Sequence, residues 1–280
     1  MPEKQFYNQV ISYAKTHYEN FPVISFLIPK EFQKHIAVIY WFARTADDIA
    51  DEGNLSEEKR LEQLDKFENN FSQSLNGNPQ NDFESALAQT IKEKNLTPSL
   101  FYDLLKAFKQ DVVKKRYENY DEVLDYCRHS ANPVGRLILE LYDIRKEELF
   151  HLSDKICTAL QLTNFYQDLQ IDYQKGRIYL PQDEILKFGV SEKSFELKEN
   201  SINLQQLLRY NIERTEMMFN EGRELTKHLN GRLKFEIGWT ILGGQAILKK
   251  IKGDNYNTIN IRPKLSKVDH LILAVKAMFI

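Results

Sequence analysis

The chain is poor in everything that would divide or staple it. Two cysteines, Cys127 and Cys157, stand in 280 residues. That is too few for a disulfide framework, and their spacing fits no metal motif, so they read as buried thiols of a reducing compartment. Eleven glycines and eight prolines are few for this length, with glycine well under its usual ~7 % share. No Pro-, Gly- or Ser-rich stretch marks a linker. No apolar run reaches the ~18 residues that would suggest a bilayer-spanning helix, and the opening MPEKQFYNQV lacks the apolar core of a signal peptide. The expected location is the cytoplasm. A formal charge of −2, without a basic stripe among aromatics, gives no footprint for nucleic acid. A GxGxxG element for a nicotinamide is also missing.

What is present is helical spacing along nearly the whole length. Helices are expected over 3–18, 31–51, 57–74, 83–94, 98–115, 121–142, 153–174, 201–229, 235–251 and 267–280, with a loop and short helix over 181–200. Asp121 reads as an N-cap, and Pro133 should kink the helix that contains it. Phe101, Leu104, Leu105, Phe108, Val112 and Val113 form a stripe that reads as core. Gly238, Gly243 and Gly244 inside an apolar helix suggest close helix contact or a pocket floor. His129 and His151 read as polar bystanders. The last helix ends LILAVKAMFI; it either caps the core or leans into a lipid interface.

The chemistry concentrates in two acidic clusters. In NFYQDLQIDYQKGRIYLP, Asn164, Asp168 and Asp172 fall at i, i+4 and i+8, one column on a helix. Phe165, Leu169 and Ile171 are apolar neighbours able to seat it, and Gly176 is a plausible stop. Upstream, Asp47, Asp48 and Asp51 grow out of an apolar run, with Arg44 one turn before Asp48. Carboxylates four apart repel, and acids emerging from an apolar helix suggest a pocket wall rather than a solvated face. Two such helices facing each other could hold magnesium, which takes one or two carboxylates together with substrate phosphates. The ligand that this chemistry suits is a diphosphate.

ARTADDIADE followed much later by NFYQDLQIDYQKGRIYLP resembles the squalene and phytoene synthase family, over about residues 20–265. The resemblance implies an all-α, single-domain, isoprenoid-synthase-type helical bundle spanning 1–280 around a central apolar cavity. It implies Mg2+ held by Asp47, Asp48, Asp51, Asp168 and Asp172, with Asn164 as ligand or orienter. Arg44, Lys175 and Arg177 would hold diphosphate oxygens, Tyr179 would donate a hydrogen bond to the same group, and Asp111 would lie near the site.

Three departures from the common pattern resemble the hydroxysqualene synthase branch of the hopanoid pathway. Glu19-Asn20-Phe21-Pro22 replaces a His/Ser segment, Gln167 stands where an Arg usually precedes the first Asp, and Ile171 stands where an acid often precedes the last. The run SANPVGRL resembles that branch too. The implied substrate is presqualene diphosphate or another long isoprenoid diphosphate, converted without a hydride donor. A condensing prenyltransferase making presqualene diphosphate, squalene or phytoene is the alternative, and a non-catalytic assembly factor a third. Peripheral contact with the inner face of the membrane stays open, and the sequence fixes no oligomeric state.

Overall fold

The computed structural model describes residues 29–280, and among them every regular element is a helix. In chain order these are α1 Lys30–Asp51, α2 Glu57–Leu75, α3 Asp82–Lys94, α4 Ser99–Val113, α5 Tyr120–Ser130, α6 Asn132–Leu141, α7 Glu147–Gln167, α8 Leu169–Gln174, α9 Gln182–Lys187, α10 Glu192–Glu196, α11 Ile202–Gly222, a 3₁₀ helix Arg223–His228, α12 Gly231–Gly253 and α13 Lys267–Ala277. The expected helix over 3–18 and the segment Glu19–Pro22 lie outside the described residues. Contacts divide the chain into two compact units, one running to Val113 plus Pro133–Arg145, the other Lys114–Asn132 plus Lys146–Ile280.

The first unit is built on α1. Ile36, Val38, Ile39, Phe42, Ala46 and Ala50 recur at helical spacing and are buried. Phe42 is fully enclosed, with the rings of Phe67, Phe71 and Phe101 centred 5.1, 5.1 and 5.2 Å away. Burial of one such side chain contributes about 2–3 kcal/mol. Phe101, Leu104, Leu105 and Val112 of the expected α4 stripe are also core, but Val113 is 54 % exposed because the helix ends there. Ser56 and Asn81 accept from the backbone N–H of Lys59 and Glu84, fixing the starts of α2 and α3.

The single kinked helix expected over 121–142 is two helices. The chain breaks at Ala131, and Pro133 falls in the first turn of α6, where a missing N–H is harmless. The cap of α5 is Asn119, whose Oδ1 accepts from Glu122 N–H at 3.0 Å; Asp121 lies inside the first turn. The expected long helix over 201–229 tightens into 3₁₀ after Gly222, and α12 begins at Gly231.

In the second unit, α7 packs along α11 and also against α12 and α5. Small residues set the spacing. A Cβ on Gly222 would meet the Ile156 side chain at 2.6 Å, and one on Gly244 would meet the Phe219 ring at 2.5 Å and Leu160 at 3.0 Å. Close helix contact is therefore the role of Gly244. Cys127 is buried as expected and burial pushes its thiol far up, whereas Cys157 is only half-buried; neither forms a disulfide among the described residues.

A buried polar network fastens α9 to α11. Arg214 grips both oxygens of Glu184, at 2.6 and 3.0 Å, and stands 3.2 Å from the centre of the Tyr120 ring. Asn211 donates to Glu184 at 3.0 Å and accepts from the Tyr166 hydroxyl at 3.3 Å. Removing one partner strands a buried charge, so Glu184→Ala should cost about 3 kcal/mol by urea denaturation. The double variant Glu184→Leu/Arg214→Leu should cost clearly less than the sum of its single variants.

Candidate active site

The first acidic cluster occupies the last turns of α1. Helix carbonyls leave partial negative charge there, so three aspartates at that end are placed against the backbone field. Two arginines answer it. Arg60 of α2 donates to the carbonyls of Ile49, Glu52 and Gly53 at 2.9, 2.9 and 2.7 Å, and Gly53 ends the helix at φ +75°. Arg44 lies 3.3 Å from Asp47, 2.7 Å from Asp48 and 2.7 Å from Glu52.

Those arginines do not quiet Asp47. Its carboxyl is pushed up to about 6, first by desolvation, then by Asp51, with Arg44 opposing and Asp48 and Asp111 adding to the rise. Its side chain remains 44 % exposed, so protein surrounds the carboxylate while its outer edge stays open to water. Asp111, on α4 and 7 % exposed, is thus part of the same acidic field.

The second cluster lies at the α7–α8 junction. The one continuous helix expected over 153–174 is interrupted at Asp168 (φ −103°, ψ 18°). The ladder nevertheless survives: Asp168 N–H donates to the Asn164 carbonyl at 2.8 Å, and Asp172 N–H to that of Asp168 at 2.9 Å. The predicted column is therefore kept at the level of the backbone. Gly176 stops α8 at φ +79°, with bonds from Gly176 to Tyr173 (2.9 Å) and from Arg177 to Asp172 (2.8 Å), the closing pattern of a Schellman turn. Phe165 and Leu169 are buried, but Ile171 is 41 % exposed and does not help to seat the helix.

Beyond Gly176 the tail is laid against 115–118. Ile178, Gln182 and Asp183 N–H donate to the carbonyls of Lys115, Tyr117 and Glu118 at 3.0, 2.9 and 3.1 Å. Arg177 is half-buried and Lys175 exposed. Tyr179 is 7 % exposed and stacks on Phe165, ring centres 3.7 Å apart and planes 4° from parallel, with Tyr117 and Tyr126 around it.

Asp168 has a partner that the sequence did not disclose. Arg262 binds both of its oxygens, through Nε on Oδ1 and a terminal nitrogen 3.0 Å from Oδ2. Next to it, Gln167 Nε2 donates to the Pro263 carbonyl at 2.6 Å. Adjacent residues 167 and 168 thus pin the segment 262–263. Glu52 and Arg60 were also unread beforehand. Only a charge in an otherwise plain loop marks Arg262, and nothing in the spacing ties it to a residue 94 positions earlier.

The structure therefore brings Arg44 to Asp47 and Asp48 within one unit, and Asp168 to Arg262 within the other. Among the described residues no three His, Cys, Asp or Glu side chains come close enough to enclose a metal ion. The donor chemistry still suits a hard divalent cation: the groups are carboxylate oxygens, and desolvation together with the neighbouring Asp51 raises the cost of ionising Asp47 in the absence of a cation.

A sequence profile of squalene/phytoene synthases matches residues 14–269. The chain belongs to the squalene/phytoene synthase family. Among its relatives, a hydroxysqualene synthase of Sinorhizobium fredii is 34 % identical over 93 % of this chain and 88 % of its own length. Phytoene synthase 1 of Arabidopsis thaliana is 27 % identical over 91 % of this chain and 61 % of its own. A squalene synthase of Alicyclobacillus acidocaldarius superposes with a TM-score of 0.85 at 32 % identity, covering 91 % of this chain and 95 % of that one. Family membership and the all-helical fold agree with the expectation raised by the two acidic motifs.

Two predictions follow from the geometry. Asp47 is protonated more readily in the fold than in the open chain, so its contribution to stability is fullest below pH 3.8 and is lost as pH rises to about 6. Undiscounted, that rise corresponds to about 3 kcal/mol; with one edge in water, about 1 kcal/mol is expected. Asp47→Asn should therefore stabilise the metal-free protein by about that amount at pH 7, and thermal melts from pH 4 to 7 should flatten. Separately, Arg262→Met leaves the partly buried Asp168 charge without its fork and should cost about 1–2 kcal/mol in urea. Arg262→Lys should recover less than half, because an ammonium cannot make the paired contact.

Proposed function

We infer that the protein is a hydroxysqualene synthase: it ionises presqualene diphosphate, and water captures the rearranged cation to give hydroxysqualene and diphosphate. The observation that carries the site reading is the pairing of each acidic cluster with one arginine, Arg44 in one and Arg262 in the other. The branch reading is supported by relatives of that name at 34 % identity and by Gln167. Where an arginine is usual, this neutral side chain is 3 % exposed and spent on a backbone carbonyl.

On this reading the chain works as one synthase domain over 1–280. Asp47, Asp48, Asp51, Asp168 and Asp172, with Asn164 as ligand or orienter, would hold Mg2+. When bound, the ion would neutralise charge on the departing diphosphate. Arg44, Lys175, Arg177 and Arg262 bind and orient phosphate oxygens, and the guanidinium fork suits phosphate as well as it does carboxylate. Tyr179 donates to the same group from the edge of its ring stack. The aromatic faces around it favour positive charge. We place the enzyme in the cytoplasm, in contact with the inner face of the membrane.

The test is product analysis. Purified protein given presqualene diphosphate and Mg2+ should release hydroxysqualene equally with and without NADPH, and Asp168→Asn should lower kcat by at least ~100-fold. Consumption of farnesyl or geranylgeranyl diphosphate with no turnover of presqualene diphosphate would assign it to the condensing enzymes instead.

A further inference from the structure

The C-terminal helix α13 has two apolar faces, and only one is used by the fold. Leu273 and Ala277 are buried on the side that packs against α12, and a Cβ on Gly238 of α12 would meet the Ile280 side chain at 3.3 Å. The helix is well anchored: Ser266 and Asp269 form a reciprocal capping box, and Asp269 pairs with Lys250 of α12 at 3.0 Å. On the other side Val268, Leu271, Ile272, Val275, Met278 and Phe279 are each between 47 % and 86 % exposed. Their spacing, i, i+3, i+4, i+7, i+10 and i+11, makes one continuous outward stripe. A stripe of this kind on a fixed element marks an interaction surface rather than scattered exposure.

Charge beside the stripe narrows the occupant. At 100° per residue Lys267 and Lys276 flank it, one on each edge. Ile272 and Lys276 also line a groove of about 690 Å³ between α12, α13 and the segment 261–264. Among its lining residues Lys250 is paired with Asp269 and Arg262 with Asp168, which leaves Lys249, Lys264 and Lys276 against Asp254. Among the described residues no helix is long and apolar enough to cross a membrane. Helices that lie in a membrane interface combine these same features, an apolar stripe with cationic margins whose long stems reach headgroups.

We propose that the outward face of α13, with the lysine-lined groove beside it, docks on an anionic lipid bilayer. A second copy of the chain fits less well. In a two-fold interface this patch would meet itself, setting lysine margins against lysine margins. The bilayer supplies apolar depth for the stripe and negative headgroups for the groove. This deepens the membrane contact inferred above, but binding is read without substrate, so it stands or fails apart from the catalytic assignment.

The experiment is flotation of the full-length protein with vesicles of phosphatidylcholine alone or with about one-third phosphatidylglycerol. Binding should be at least ~10-fold stronger with the anionic lipid and should weaken as salt rises. Leu271→Glu and Val275→Glu, at exposed positions, should each keep the wild-type melting temperature and lose binding about 10-fold. Lys264→Glu/Lys276→Glu should abolish the preference for the anionic vesicles. Failure of the wild type to float with either vesicle would overturn the proposal, as would unchanged binding in these variants. So would a lipid-free dimer, seen by sedimentation, that Leu271→Glu dissociates.

Discussion

Carboxylates set at the carbonyl end of a helix are a standing electrostatic debt, and both acidic clusters carry it. Asp47, Asp48 and Asp51 crowd the last turns of α1, and Asp168 is the C-cap of α7. Helix field and like charge act in the same unfavourable direction there. A sequence selected for stability alone would place lysines in those turns, and none stands in the last turn of α1 or α7. The fold answers with arginines brought from elsewhere: Arg44 from one turn back, Arg60 from α2 and Arg262 from a distant loop. Asp47 nonetheless remains hard to ionise. Charge left only partly compensated is a reasonable mark of a site adapted to an incoming cation.

What could be read beforehand was local. Apolar residues at helical spacing placed the ends of α1 to α4 to within two residues, because their buried faces repeat with the helix period. Gly176 was legible as a stop, since glycine readily takes the left-handed backbone conformation found there at φ +79°. The column Asn164, Asp168, Asp172 was legible for the same reason, and it survives an interruption because two backbone bonds bridge the irregular residue.

What could not be read was set by distant partners or by competing local choices. Asp121 and Asn119 are both good caps two residues apart, and only the realised helix start decides between them. Pro133 was compatible with a kink or a fresh start; Ala131 leaving the helix made it a start. Glu184, Asn211 and Arg214 look like ordinary surface polar residues until tertiary packing buries them together. Arg262 is the plainest case, being 94 positions from the carboxylate it holds. No periodicity links such pairs.

That arginine also joins two features that would otherwise be separate. Segment 261–264 forms one wall of the basic groove beside α13, while Arg262 and the Pro263 carbonyl are gripped by Asp168 and Gln167. Arg262 and Pro263 therefore face two tasks. A displacement of the segment away from residues 167 and 168 would lengthen those contacts and move the groove wall with it. Proline limits how such strain can be absorbed, because its ring fixes φ near −65°. The Asp168 carboxylate and the groove wall thus share one short stretch of backbone. In an enzyme drawing an apolar diphosphate from a bilayer, such a shared stretch would put a carboxylate of the proposed site one residue contact away from the surface proposed to meet lipid.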